Sequence, residues 1–151
     1  MLQDILVFGV ESPTANYILR PGGYIVAQNE KGEIAVVSTP QGIFLPGGGQ
    51  NPDETPAQAA LREAMEECGL RVTLDESFCT ADELVFAEEE LKHYRKRCAF
   101  FLTKSFEIIG SAEADHQLVW LSADEASDRL RHSSQAWAVQ KATSLSHSRT
   151  T

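Results

Sequence analysis

The chain has 151 residues and a formal net charge of −9 at pH 7. This favours one compact domain and argues against a general nucleic-acid-binding protein, because phosphate backbones are bound by basic surfaces. No stretch approaches the roughly 18 apolar residues of a membrane span, and the odd, widely spaced set of three cysteines and the lack of a signal-peptide pattern predict a reduced, cytoplasmic protein.

The first elements predicted along the chain are two strands. Residues 22–28 and 33–39 are rich in β-branched and aromatic side chains. Residues 29–32 between them are predicted to form a hairpin loop with a glycine at its end. A short apolar segment, GIFLP, then runs into three consecutive glycines at residues 47–49.

The clearest predicted helix is Pro56–Cys68. Thr55 can cap its first turn, and Gln58 completes a capping box with it. Proline is well placed at the first helical position, where its missing N–H is not needed. Gly69 is positioned to end the helix in a left-handed conformation. Local residues therefore specify both ends of this helix.

Strands and helices follow to the end of the predicted domain. Two or three further strands are predicted, around residues 73–86, 92–106 and 117–121. Ser122 and Glu125 form a second capping box that opens a helix, and a last helix contains Trp137. This order predicts a single α/β domain with a mixed sheet over residues 1–145. A polar, disordered tail is predicted at residues 146–151.

The helix Pro56–Cys68 has an apolar stripe and an acidic side. The stripe is predicted to be buried and consists of Leu61, Ala64, Met65 and Cys68. The opposite side carries Glu63, Glu66 and Glu67 within one turn of each other. Such like charges weaken a helix by a few tenths of a kcal/mol, and folding does not require them. Mg²⁺ prefers carboxylate oxygens, so the cluster predicts a metal site; the alternative is a solvated acidic face.

The glutamates belong to a longer pattern. It runs from Gly48 over five residues to Glu54, over seven more to Arg62, and on through Glu63, Ala64, Met65, Glu66, Glu67, Cys68, Gly69 and Leu70. Residues 48–70 resemble the Nudix box, the signature of the Nudix hydrolase family. All the charged and glycine positions match, whereas Ala64 is smaller than the bulky aliphatic residue of the family pattern.

The resemblance implies a fold and a set of site residues. The fold is an α/β/α sandwich with a mixed sheet, over roughly residues 17–137. The implied ligands of Mg²⁺ or Mn²⁺ are Glu63, Glu66, Glu67 and the backbone carbonyl of Gly48. Glu54 and Arg62 resemble the family's supporting salt bridge, which braces the glycine loop against the helix.

The implied activity is that of a pyrophosphohydrolase. Its substrate would be a nucleoside diphosphate linked to another moiety, or a related small diphosphate, cleaved by attack of a metal-bound water. The general base is either Glu67 or a loop acid such as Glu113. No nucleic acid or membrane partner is implied, and a homodimer is allowed because dimers are common among relatives.

A dense basic segment is a second candidate for substrate binding. It contains Lys92, Arg95, Lys96 and Arg97. In a strand, Arg95 and Arg97 share one face, and an arginine there could grip a phosphate through two hydrogen bonds. The alternative is an edge strand whose charges oppose aggregation. Sequence alone leaves both interpretations open.

Two other functions compete with hydrolysis. One is a nucleotide-binding regulatory module that resembles the family without turnover, although such relatives usually lack part of the acidic set that this chain keeps. The other is a diphosphate isomerase with a similar fold, which would need additional acid and base residues facing the substrate. The complete acidic pattern favours the hydrolase.

Overall fold

The computed structural model describes residues 4–110 and 113–150, with side chains described up to residue 145. The strands are β1 (Leu6–Phe8), β2 (Tyr17–Val26), β3 (Ile34–Thr39), β4 (Gly42–Phe44), β5 (Gly47–Gly49), β6 (Leu70–Ala87), β7 (Lys92–Ile108) and β8 (Gln117–Leu121). The helices are α1 (Pro56–Cys68), α2 (Ala123–Arg129) and α3 (Ser133–Thr150). None of these helices is long and apolar enough to cross a membrane.

The strands form two sheets. A mixed sheet has the order β1-β6-β7-β2-β5, in which β1 with β6 and β7 with β2 are parallel. The pairs β6 with β7 and β2 with β5 are antiparallel. Strands β4, β3 and β8 form a second, antiparallel sheet. The predicted α/β class with a mixed sheet is confirmed.

Helices cover both faces of the mixed sheet. Ala60 of α1 packs with Phe101 on one face, and Val139 of α3 packs with Phe100 on the other. Because side chains alternate across a strand, the neighbours Phe100 and Phe101 belong to opposite cores. This places α1 and α3 on opposite sides, as an α/β/α sandwich requires.

Helix α1 begins and ends where the sequence predicts. The Thr55 hydroxyl oxygen accepts a hydrogen bond from the Gln58 N–H at 3.1 Å, and the Gln58 side chain accepts one from the Thr55 N–H at 2.9 Å. Gly69 ends the helix with φ 65°. The predicted bounds, capping box and glycine stop are all confirmed.

The predicted buried stripe of α1 is wrong at Leu61, which is 39% exposed. The buried side instead consists of Ala59, Ala60, Ala64 and Cys68. The physical reason is the close approach of α1 to β2. A Cβ atom on Gly23 would lie 1.9 Å from the Pro56 carbonyl oxygen and 3.2 Å from the Ala60 Cβ. Only glycine and alanine fit this contact, so the helix turns its larger aliphatic residue outward.

We expect Gly23→Ala to destabilise the protein strongly. The added methyl would overlap a backbone carbonyl that cannot move without shifting α1, and overpacking of this kind costs about 1–3 kcal/mol or more. Gly49→Ala is the matched control, since its added Cβ meets only the flexible Arg20 side chain, at 3.1 Å. Urea unfolding of both variants measures the difference. Equal stability of the two would contradict the close helix–strand contact.

The predicted hairpin between β2 and β3 forms only its loop. Gly32 N–H donates to the Asn29 carbonyl at 3.0 Å, closing the turn. The chain pairs just beyond the end of β2, through the bridge between Gln28 and Ile34 and the hydrogen bond from the Ala35 N–H to the Ala27 carbonyl at 3.0 Å. Strands β2 and β3 themselves belong to separate sheets. The local turn signal was correct, but it cannot tell how far two strands stay paired beyond the turn.

The later elements agree with the sequence in kind and differ at their ends. Helix α2 begins after Ser122, whose hydroxyl accepts from the Glu125 N–H at 3.1 Å. The Glu125 carboxylate, predicted to complete the capping box, pairs instead with Arg129 at 3.1 Å. The backbone of α3 is helical to Thr150, across most of the segment for which a disordered tail is predicted, and Thr151 lies outside the described residues.

Candidate active site

A cleft of about 400 Å³ opens on the face of the mixed sheet that α3 covers. One part of its wall, the glutamate end, consists of Gly47, Gly48, Glu63 and Glu67. Side chains of β2 and β7 form its floor, including Arg20, Tyr94 and Lys96. Phe44 and His132, with ring centroids 5.3 Å apart, line it as well.

Strand β5 is made of glycine because two elements crowd it. A Cβ on Gly47 would lie 2.3 Å from the Gly23 carbonyl oxygen. A Cβ on Gly48 would lie 2.9 Å from the carboxyl carbon of Glu63. The absence of side chains therefore lets α1 place its carboxylates directly against the backbone of β5.

Glu67 is held at the glutamate end by the backbone of β5. Its Oε1 accepts a hydrogen bond from the Gly47 N–H at 2.9 Å. Burial raises the pKa of this carboxyl to about 8, and repulsion from Glu63, Glu113 and Glu66 adds to the effect. Glu67 thus lies at the border of the buried side of α1, not opposite it as the helical wheel predicts.

Arg62 forms hydrogen bonds with Glu54, which precedes α1, and with two acids of α1. Its Nε and Nη2 donate to both carboxylate oxygens of Glu54, at 2.7 and 2.9 Å. Its Nη1 donates to Glu63 at 2.6 Å and to Glu66 at 3.2 Å, and Nη2 also donates to the Gly49 carbonyl at 3.1 Å. The hydrogen bonds from Arg62 lower the pKa of Glu54 to about 2. The salt bridge that the resemblance implies is therefore present, and it ties α1 to the loop after β5.

The donor atoms at the glutamate end suit a hard divalent cation. In residues 4–110 and 113–145, no three acidic, histidine or cysteine side chains already converge on one point, because Arg62 holds Glu63 and Glu66. The groups available are nevertheless all oxygen donors, and the half-buried Glu67 carboxylate forms no ion pair with a described residue. Oxygen ligands with excess negative charge are what Mg²⁺ and Mn²⁺ bind.

The family model for the NUDIX domain matches residues 18–141. The chain belongs to the Nudix family. This confirms the resemblance drawn from residues 48–70 and the enzyme class that follows from it, a Nudix pyrophosphohydrolase. No curated protein matches the sequence.

Solved structures share the fold of this Nudix chain. The E. coli ORF135 protein has a TM-score of 0.69 and 23% identity, over 88% of this chain and 94% of that one. A MutT protein from Methanosarcina mazei Go1 has a TM-score of 0.67 and 18% identity, over 89% and 99%. An Ap4A hydrolase from C. elegans has a TM-score of 0.60 and 19% identity, over 87% and 98%.

The charge of the loop acid Glu113 acts on the Nudix helix. Its charge is one of those that raise the pKa of Glu67, and its carboxylate lies 3.3 Å from Nδ1 of His116. Glu67 lines the cleft, whereas Glu113 does not and reaches the glutamate end through its charge. The structure keeps both as candidates for the general base.

Arg95 and Arg97, predicted to bind substrate phosphate, do not line the cleft of this Nudix domain. Both bind Asp82, whose side chain is completely buried; Arg97 does so with two hydrogen bonds of 3.0 Å. Although burial opposes it, these hydrogen bonds hold the pKa of Asp82 below its ordinary value. The alternating side chains of β7 place Lys96 in the cleft instead.

Sequence reasoning missed several residues of the cleft, including Arg20 and Tyr94. Arg20 lies over the Tyr94 ring, 5.4 Å from its centroid, and the Tyr94 hydroxyl donates to the carboxylate of Glu90. The sequence places Lys96 on the face opposite Arg95 and Arg97, but the prediction of substrate binding fell on the arginine face, and Lys96 lines the cleft. The sequence shows which side chains of β7 share a face of the strand. It does not show which of the two faces lines the cleft.

Proposed function

We propose that this Nudix enzyme hydrolyses a phosphoanhydride bond in a nucleoside diphosphate linked to another moiety, or in a related small diphosphate, with Mg²⁺ or Mn²⁺. The proposed ligands are Glu63, Glu66, Glu67 and the carbonyl of Gly48. The observation that carries the proposal is the contact of Glu63 and Glu67 with the glycine strand at one end of an open cleft. No role in folding accounts for acids gathered there.

The residues at the glutamate end would have different roles in hydrolysis. A bound divalent ion would neutralise phosphate charge and make water a stronger nucleophile. Glu67 is fixed through Oε1 by the Gly47 N–H, which leaves Oε2 to hold a ligand or accept a proton. Glu113 is the alternative proton acceptor. Arg62 keeps Glu63 in position through Nη1, and its bidentate bond to Glu54 prevents the guanidinium from turning away.

The rest of the cleft would hold the moiety attached to the diphosphate. Phe44 and His132 present aromatic faces there, and Gln135 stiffens this wall by accepting a hydrogen bond from the Leu45 N–H at 2.8 Å. Aromatic faces suit a nucleobase. A screen of diphosphate compounds with Mg²⁺, in which released phosphate is measured after phosphatase treatment, tests the function. Binding without turnover of any compound would favour the regulatory module.

We expect activity to depend completely on a divalent ion. The chain carries a net charge of −9, and Glu63 and Glu67 would repel an anionic substrate without a cation between them. Excess chelator should abolish turnover, and Mg²⁺ or Mn²⁺ should restore it. Circular dichroism of the chelated protein is the control, because it shows that the fold persists. Full turnover in excess chelator would contradict the metal site.

We also propose that residues 1–145 act as a single domain in a reduced, cytoplasmic compartment. Its cysteines, Cys68, Cys79 and Cys98, are all free thiols, as is usual in reducing compartments. Homodimer formation stays a prediction, and sedimentation equilibrium would test it.

A further inference from the structure

Two basic side chains lie next to each other on the floor of the cleft. Strands β2 and β7 run in parallel with Arg20 opposite Lys96, and both residues line the cavity. Like charges facing each other on adjacent strands destabilise a sheet. Folding therefore gives no reason for this pair, and its position suggests a ligand of opposite charge.

Arg20 and Lys96 have no direct counter-ion among the described residues. Within the part of the chain that the structure describes, the ion pairs include neither Arg20 nor Lys96. The Arg20 guanidinium instead lies over the Tyr94 ring. Burial, with a contribution from the charge of Arg20, lowers the pKa of Lys96 below its ordinary value. The ammonium group has thus lost water without gaining a direct partner.

The acids nearest to Lys96 are engaged elsewhere. Glu83 is its partner on β6, but the Glu83 carboxylate accepts a hydrogen bond from the Ser134 N–H at 2.9 Å. The Glu90 carboxylate accepts one from the Tyr94 hydroxyl. Both acids raise the pKa of Lys96 from a distance, without coming within 4.0 Å of it. Neither carboxylate forms an ion pair with Arg20 or Lys96, although Glu90 also lines the cleft.

The basic pair continues from the glutamate end. The Arg20 Nε lies 3.1 Å from where a Cβ on Gly49 would stand, and Glu63 lies against the preceding residue, Gly48. A phosphate chain gripped at the glutamate end would therefore reach Arg20 first and Lys96 next. Arg20 is exposed and Lys96 is half-buried. A neutral group in this place would leave the partly dehydrated Lys96 ammonium without a partner, which is costly.

We propose that Arg20 and Lys96 bind a second anionic group of the substrate, a phosphate in addition to the two joined by the scissile bond. This rests on the proposed function and narrows its substrate class to phosphoanhydrides with at least one further phosphate. That phosphate either extends the chain or sits on the attached moiety. Arginine contributes paired hydrogen bonds, and lysine a point charge beside them.

Two pairs of compounds, each differing by one phosphate, test the proposal. ATP against ADP adds it to the chain, and NADPH against NADH adds it to the nucleoside. We expect a higher kcat/KM for the phosphate-bearing member of at least one pair, and the pair that shows it identifies the source. The preference is the kcat/KM of the phosphate-bearing compound divided by that of its partner. Lys96→Met should lower this preference by about tenfold or more, mainly through KM, since a charge-assisted hydrogen bond is lost.

Lys104→Met is the matched control. Lys104 is exposed on the same strand and does not line the cleft. Lys104→Met should therefore keep the parent enzyme's preference for the phosphate-bearing compound. The proposal is overturned if neither pair shows a preference, or if the preference survives in both Lys96→Met and Arg20→Met.

A binding measurement makes the result independent of turnover. With chelator present, inorganic tripolyphosphate should raise the melting temperature of the parent, because it binds only the folded state. Lys96→Met should lose this shift and melt without ligand no lower than the parent, since it removes a repelling charge beside Arg20. If the shift depends on Lys96 but no compound is hydrolysed, the subsite stands and the hydrolase proposal fails. If a compound is hydrolysed but the shift in melting temperature does not depend on Lys96, the hydrolase proposal stands and the subsite proposal fails.

Discussion

Replacing Glu67 by glutamine should abolish most of the activity while leaving the metal-free protein at least as stable. An amide oxygen is a poor ligand for Mg²⁺ and cannot accept a proton from water, and loss of a ligand or base typically costs about 10²-fold or more in rate. The stability of the metal-free protein should not fall, because Glu67 is half-buried and is repelled by the charges of Glu63, Glu66 and Glu113. Glutamine keeps an oxygen for the Gly47 N–H and nearly the same helix propensity.

Glu66→Gln should also reduce the rate, although its side chain is half exposed and pairs with Arg62 at 3.2 Å. Glu89→Gln in the exposed β6–β7 connection is the matched control and should change neither quantity. Rate and melting temperature are measured on the same preparations, with any diphosphate that the parent hydrolyses. Parental rates for both helix variants would show that the acids are a solvated face, and the proposed active site would fail.

Glu113→Gln, measured in the same series, separates the two candidates for the general base. If Glu113 accepts the proton from water, its variant should lose about as much rate as Glu67→Gln, since a positioned base contributes about 10²- to 10⁴-fold. If Glu67 does so, Glu113→Gln should retain most of the rate, because the loop acid then acts only through its charge. Affinity for Mn²⁺ should fall in Glu67→Gln and hold in Glu113→Gln.

The sequence predicts those parts of the structure that short segments specify. The ends of α1 were correct because Thr55, Gln58 and Gly69 each act within one turn of the backbone. The acidic pattern was found for a similar reason, since its residues are close in the chain. Features of this kind depend on neighbours in sequence, so one chain suffices to locate them.

The sequence fails where packing between distant segments decides. Leu61 is exposed because α1 packs its alanine side closely against Gly23, which lies on a separate strand. Arg95 and Arg97 face away from the cleft because they bind the buried Asp82 on β6. No sequence pattern identifies Arg20 as a cleft residue, since its position opposite Lys96 depends on the register of β2 with β7. No periodicity within one segment contains that information.

Replacing Arg62 by alanine should reduce activity by about 10- to 100-fold even though Arg62 does not line the cleft. The guanidinium bonds to Glu54, Glu63 and Glu66 and to the Gly49 carbonyl. Without it, Glu63 loses the contact that orients it, and the acids of α1 repel one another without a cation. The metal-free melting temperature should therefore fall as well. Arg62→Lys should recover only part of both losses, because one ammonium cannot replace the bidentate bond to Glu54.

The matched control is Arg129→Ala, which breaks another arginine–glutamate pair on a helix. Arg129 and Glu125 are 3.1 Å apart, with 50% and 52% of their side chains exposed, and exposed pairs contribute at most about 1 kcal/mol. Added Mg²⁺ should reduce the loss of melting temperature in Arg62→Ala, since a divalent ion supplies the positive charge that the acids lack, and it should leave Arg129→Ala unaffected. If Arg62→Ala melts and turns over like Arg129→Ala, the brace between Glu54 and α1 has no part in shaping the site. A loss that Mg²⁺ leaves unchanged would instead assign Arg62 to packing and separate it from the metal site.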